Sequence, residues 1–245
     1  MTQASPAAAG RSRNRTMSMR ALARQVRDGY RKSLQRAVLR RSLATLERTL
    51  RMGRQPGMKL VEQLVQGWGN ENWSANAPLL MAMLEWLPRT NGSIAECGSG
   101  VSTLVLASAA LVSGRRVHSF EHSEEWAERL IRDLPEYLRP SLDLRVAPIR
   151  NYGEFDWYAL DKSDAPSGIG FVVCDGPPGG TRGGRYGLGP VLRSQMSPGC
   201  VILIDDTQRQ GEHEIVRRWC AELDASVVQE GSTYSVIKVG NGIAG

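Results

Sequence analysis

The sequence predicts an α/β protein built on a doubly wound, mostly parallel sheet covered by helices on both faces. Three observations carry this. From residue 93 onward, short apolar runs alternate with segments of helical period. The runs IGFVVCD (169–175) and VILIDD (201–206) stay apolar instead of alternating, as strands buried on both faces do. Several runs end in glycines or acids, at the strand ends where such sheets hold ligands.

The elements follow in order. Residues 1–16 are small, polar and basic and predict a disordered tail. Residues 17–51 predict one long helix. Met19, Leu22, Val26, Tyr30, Leu34, Val38, Leu43, Leu46 and Leu50 recur mostly every three or four residues, with arginines on the other faces. Gly53 and the Gln-Pro-Gly at 55–57 stop it, giving a basic arm over 17–57 and a globular domain over 58–245. Helix 78–87 precedes strand SIAEC (93–97), helix 102–112 precedes strand 116–122, and helix 123–134 precedes strand 142–149. Strand 169–175 is followed by a glycine-rich loop, a short helix and strand 201–206. Helix 211–223 leads to the strands ASVVQE and TYSVIKVG.

Composition narrows the function classes. The chain has 245 residues, 41% hydrophobic and 23% charged, which gives one domain of this kind plus an extension. No apolar run approaches the roughly 20 residues of a membrane span, and no secretory signal pattern is present. Four scattered cysteines without a CxxC predict buried thiols in a reduced, cytoplasmic protein. The net charge of +6 is uneven: residues 1–54 hold 14 basic residues against Asp28 and Glu47, leaving the remainder acidic. The basic pI therefore belongs to the arm, and the main domain is not expected to bind nucleic acid. The arm's stripe docks on the domain or on a second subunit, or else meets an anionic membrane surface or other acidic partner.

The strand ends carry the chemistry. In IAECGSGVSTLVLAS (94–108), Gly98 and Gly100 allow a tight turn and close approach of a ligand to the backbone. The third glycine of a dinucleotide fingerprint is replaced by Thr103. Glu96, two residues before Gly98, suits a cationic ligand and disfavours a pyrophosphate. The alternative is a plain strand-to-helix turn with Ser102 or Thr103 at the cap. Glu121 ends the second strand, where an acid accepts the hydroxyls of a ribose or caps the helix near Ser123. His122 borders the same nucleoside or is a solvated loop residue.

The ExGxGxST pattern, the acid after the second strand, the Asp after the fourth and VILIDD as the fifth resemble the class I S-adenosylmethionine-dependent methyltransferases. The resemblance covers roughly residues 58–240 and leaves the arm unexplained. It implies a Rossmann-like seven-stranded sheet with an antiparallel last strand. It implies S-adenosylmethionine over the turn formed by Gly98, Ser99, Gly100, Ser102 and Thr103, with Glu121 on the ribose and Glu96 near the methionyl amino group. Asp175, Asp205 and Asp206 match the acidic positions of the metal-dependent O-methyltransferases, both the catechol and caffeoyl-CoA type and the macrolide-sugar type. Asp175 borders cofactor and metal alike.

Three carboxylates at neighbouring strand ends form an all-oxygen set suited to Mg²⁺. A metal chelating two hydroxyls orients them and lowers the pKa of the attacking one. The expected substrate is a small molecule or glycan with a hydroxyl: a sugar, a sugar-bearing metabolite or a phenolic diol. Adjacent strand residues point to opposite faces, so Asp205 and Asp206 converge only where the strand has bent. Catechol-type enzymes carry a lysine where this chain has Pro178, so His213 is the replacement base or else a solvated surface residue. Arg182 and Arg185, in a glycine-rich loop expected to act as a lid, contact an acidic substrate group or solvent. Trp68 and Trp73, in GWGNENWSAN, close over the site or pack in the core. The alternatives are a metal-independent methyltransferase acting on nitrogen or a carboxylate, and an inactive methyltransferase-like module tethered by its arm. A nicotinamide dehydrogenase is disfavoured by Glu96 and the missing glycine.

Overall fold

The computed structural model describes residues 19–70, 75–161 and 163–240. The expected tail (1–16) and Trp73 lie outside them, as do the side chains of Ala21 and Leu22. Three helices come first: α1 (Met19–Arg51), α2 (Met58–Trp68) and α3 (Ala77–Trp86). Asn76 caps α3, its side chain accepting from the Leu79 amide at 2.9 Å.

The sheet follows, with strands β1 (Ser93–Cys97), β2 (Val117–Glu121), β3 (Leu142–Val146), β6 (Ile169–Cys174), β7 (Met196–Asp205), β8 (Ala225–Glu230) and β9 (Tyr234–Val239). Their order is β3-β2-β1-β6-β7-β9-β8. The first five pair in parallel, and β9 runs antiparallel to both its neighbours. This is the seven-stranded, mostly parallel sheet with an antiparallel last strand that the sequence led us to expect. Helices α4 (Val101–Ser113), α5 (Glu124–Asp133), α6 (Leu188–Leu192) and α7 (Gln210–Glu222) complete the crossovers.

Alternation along the central strands divides the core in two. Phe171 and Val173 of β6 face a layer built from α1 to α4, with Leu43, Leu64, Leu80 and Leu104. Val172 and Cys174 face the opposite layer, with Trp157, Leu188 and Trp219. Leu39, Leu43 and Leu46 of α1 are buried in the first layer, each stabilising the docked helix by about 2 kcal/mol. The C-terminal half of the arm is thus part of the domain's core. Its N-terminal half is exposed, with Val26, Tyr30, Leu34 and Val38 all open to solvent. Cys97, Cys174 and Cys200 are buried free thiols.

Two local differences from the sequence reading matter for the site. The run expected as one strand over 142–149 is split: β3 ends at Val146, and a separate hairpin pairs β4 (Ile149–Asn151) with β5 (Asp156–Tyr158). Pro148 cannot donate to a ladder, and the Ala147 amide turns to the Glu121 carbonyl at 2.7 Å. The glycine-rich loop packs on this hairpin. A Cβ at Gly187 would lie 2.6 Å from the Trp157 ring, so the glycine permits the approach.

Candidate active site

A cleft of about 550 Å³ opens beyond the carboxyl ends of β1, β2, β6 and β7. One wall is the turn after β1. Gly98, at φ 88°, lies in the left-handed region, and a Cβ there would meet the Gly176 amide nitrogen at 2.9 Å. Gly100 is buried, and a Cβ on it would meet no atom within 4 Å.

Glu96 sits beneath this turn, fully buried. Its Oε2 accepts from the Thr103 hydroxyl at 2.7 Å and the Ser119 hydroxyl at 2.6 Å. Thr103 in turn accepts from the Gly100 amide at 2.9 Å, so the acid holds the turn through a relay. Burial pushes the Glu96 carboxyl up to about 7, with hydrogen bonds from Ser119 and Thr103 opposing. Its Oε1 is buried without a partner.

Glu121 lines the cleft at the end of β2. Its Oε2 accepts from the Ser99 amide at 2.9 Å and the Ser99 hydroxyl at 2.8 Å. Its Oε1 accepts from the Ser123 amide at 2.9 Å and lies 2.9 Å from His122 Nδ1. The carboxylate therefore ties the two strand-end turns together and reaches the N-cap of α5. Beside it, Arg129 stacks over both Trp68 and Trp126, 4.8 Å from each ring centroid. Trp68 packs in the core, and nearby Asn70 lines the cleft.

The other wall is acidic. Asp205 is the last residue of β7, and Asp206 adopts φ 62°. That left-handed step ends the strand and brings two adjacent side chains to one side. Ligand oxygens of Asp175, Asp205 and Asp206 all lie within 4.8 Å of one another. Asp205 Oδ1 is buried without a partner. Burial, followed by the charge of Asp205, raises the Asp175 carboxyl well above the usual range. Burial and the Asp206 charge raise Asp205.

Arg185 lies within this wall, its side chain 3% exposed. One nitrogen donates to Asp206 Oδ2 at 2.7 Å, Asp175 Oδ1 at 3.2 Å and the Asp175 carbonyl at 2.9 Å. Another donates to the Asp205 carbonyl. Burial opposes its charge, and Asp175 and Asp206 outweigh that and raise its pKa. The exposed Arg209 also reaches Asp206 Oδ2, at 2.9 Å. The guanidinium bridges two strand ends and, with Arg209, offsets part of the acidic charge gathered there.

The cleft thus brings together Gly98, Ser99, Glu121, His122, Asp175, Asp205 and Asp206. Glu96, Gly100, Ser102 and Thr103 lie behind the wall and are not lining residues. His213 stands exposed in the first turn of α7 and does not line the cleft. Arg182 holds the loop in place through the Gly153 carbonyl and Asp156, both at 2.8 Å. Tyr158 lines the cleft with a fully buried hydroxyl that has no partner. No sequence pattern points to Tyr158, because it enters through the hairpin that the strand assignment missed. Arg209 carried a signal: it stands three residues after Asp206, at the start of a helix.

Both expected groups can be tested against the donors. Three carboxylates within 4.8 Å of one another, one with a buried oxygen that lacks a partner, suit a hard divalent cation. The open cleft beside Ser99 and Glu121 has room for a nucleoside.

Residues 95–207 match a protein family described as a methyltransferase domain. No curated protein matches the chain. An S-adenosylmethionine-dependent O-methyltransferase from Thermotoga maritima superposes with a TM-score of 0.51 at 11% identity, covering 76% of this chain and 71% of that one. An RNA methyltransferase from Salinibacter ruber, in complex with S-adenosylhomocysteine, gives a TM-score of 0.45 at 17% identity, covering 70% and 96%. A putative O-methyltransferase from Klebsiella pneumoniae gives 0.48 at 16%, covering 80% and 96%. At 11% identity the likeness to the Thermotoga maritima enzyme is one of fold alone.

Proposed function

We infer that this chain, which carries the class I methyltransferase fold, is an S-adenosylmethionine-dependent O-methyltransferase. It acts on a hydroxyl of a sugar, glycan or phenolic diol. The observation that carries the reading is the left-handed step at Asp206, which turns Asp205 and Asp206 into the cleft that Glu121 and the Gly98–Ser99 turn also line. A site that faces a nucleoside wall with converging carboxylates is arranged to hold a cationic cofactor on one side and a hydroxyl on the other.

The geometry supports the following roles. Gly98, Ser99 and Glu121 hold the cofactor, and Glu96 fixes their turn from behind through Thr103. Asp175, Asp205 and Asp206 would orient the acceptor hydroxyl and take up its proton. Arg185 ties the Asp175 and Asp206 carboxylates together and holds Asp205 through its backbone carbonyl. Bound S-adenosylmethionine supplies a sulfonium methyl, and a Mg²⁺ ion held by the three aspartates would lower the pKa of the acceptor hydroxyl. A second reading, transfer without a metal, is favoured by Arg185, which already places a cation on Asp175 and Asp206.

The test is calorimetric titration with S-adenosylhomocysteine, followed by methyl transfer to a panel of sugars and catechols with and without a chelator. Binding that Glu121→Ala weakens, together with transfer to oxygen, is the expected result. Chelator-resistant transfer selects the second reading. Absence of S-adenosylhomocysteine binding refutes both.

A further inference from the structure

Among the described residues, helix α1 packs on the domain at one end only. Its docked half begins near Arg36, which pairs with Asp133 at 2.8 Å, and continues through the buried Leu39, Leu43 and Leu46. From Met19 to Leu34, every described side chain is exposed. That is about 24 Å of helix standing clear of the domain. Along it runs an apolar ridge: Val26 is 65% exposed, Tyr30 67%, Leu34 50% and Val38 41%. Steps of four residues keep these side chains on one slowly turning line. Val38 stands about 100° around the axis from the buried Leu39, so the ridge faces away from the core. Arg20, Arg24, Arg27 and Arg31 lie along one side of the ridge, with Lys32 nearby and Asp28 as the single acid of this stretch.

We propose that this overhang is a peripheral membrane anchor that lays its apolar ridge on an anionic lipid surface. The pairing of features decides the partner. Aliphatic side chains with a tyrosine among them enter the boundary between headgroups and acyl chains, while flanking arginines meet the phosphates. Each basic side chain near such a surface strengthens binding about fivefold. A nucleic acid would use the arginines and leave the ridge in water. A second copy would cover the ridge but bring two strongly basic helices side by side. The anchor rests on the helix alone and stands whatever reaction the cleft performs.

Co-sedimentation of the full chain with vesicles tests it. The vesicles are phosphatidylcholine alone, or phosphatidylcholine with roughly 30% phosphatidylglycerol. Two double variants are compared, Val26→Gln with Leu34→Gln, and Arg24→Glu with Arg27→Glu. All four positions are exposed, so urea unfolding midpoints stay unchanged and show that folding is intact. The expected result is binding to the anionic vesicles that falls by about tenfold or more in each variant and on neutral vesicles. No sedimentation with anionic vesicles overturns the proposal, as does binding that survives Val26→Gln with Leu34→Gln. A dimer by light scattering that this variant dissociates assigns the ridge to a second copy and overturns it. Duplex RNA bound more tightly than the vesicles, and equally well by this variant, reassigns the arginines and also overturns it.

Discussion

Replacing Arg185 by Gln removes the one buried cation of the acidic wall while keeping a polar side chain of similar length. The guanidinium contacts Asp206 and Asp175 at 2.7 and 3.2 Å and donates to two strand-end carbonyls. Removing one partner from a fully buried ion pair costs on the order of 3–5 kcal/mol. Here Asp175 and Asp206 keep 22% and 19% of their side chains exposed, and Arg209 still reaches Asp206, so water and a second cation offset part of the loss. The expectation is about 3 kcal/mol at pH 8, measured by urea unfolding. The pH dependence identifies the cause. Asp175 and Asp205 already have native pKa values above their ordinary 3.8, and loss of the neighbouring cation raises them further. A group with a raised native pKa favours the fold when protonated, and that contribution is lost as the pH rises through its native pKa. The destabilisation by Arg185→Gln therefore shrinks as the pH falls toward 4. Mg²⁺ restores part of it at pH 8 if the aspartates take a metal. A loss below about 1 kcal/mol at pH 8, or one of equal size at both pH values, would refute charge compensation as the role of Arg185.

Three further outcomes are expected. Asp206→Asn lowers turnover about 100-fold or more while changing S-adenosylhomocysteine affinity less than about threefold, and His213→Ala changes neither; equal loss of both by Asp206→Asn counts against the assignment. Glu96 titrates near 7 in the fold against 4.5 unfolded, so its protonation stabilises the protein below about pH 4.5 and that contribution is lost as the pH rises through about 7. Glu96→Gln removes this dependence, worth at most about 3 kcal/mol, and an unchanged stability difference between pH 5 and pH 8.5 would show that Glu96 is not the group responsible. Leu43→Ala, in the docked half of α1, costs about 2–4 kcal/mol by chemical unfolding, whereas a near-zero change would mean that α1 does not pack in the core.

The sheet was legible because its signals are local. Unbroken apolar runs such as VILIDD can only be buried strands, and the glycines and acids that follow them mark the ligand-facing ends. The adjacent Asp205 and Asp206 were conspicuous for the same reason, since two neighbouring carboxylates at the end of a core strand need a cation nearby. Which cation is present depends on distant sequence. Arg185 reaches the cluster only because its loop folds back over the hairpin, with Gly187 against Trp157, and no local pattern encodes that path. Tyr158 was hidden because LDLRVAPI reads as one strand, and only the proline within it hints at the break. His213 stands seven residues after Asp206 and looked near in sequence, yet α7 carries it to an exposed position. The stripe along α1 was read as one surface. In the fold it divides at Gln35, beyond which the helix finds α2 and α4 to pack against.

The contact between Gly98 and Gly176 joins the two halves of the cleft at a seam. A Cβ on Gly98 would strike the Gly176 amide, and a Cβ on Gly176 would strike the Tyr158 hydroxyl as well as Gly98. The turn after β1 and the loop after β6 therefore pack directly against each other. A side chain placed on either glycine would shift both halves, so neither can be altered alone. Cleft-lining side chains that do not pack at this seam, such as Asn70 and Pro178, offer positions where the cleft can be altered without moving it. Seen as material for change, the molecule has a tight seam between its two strand-end loops and a rim whose side chains stand apart from it.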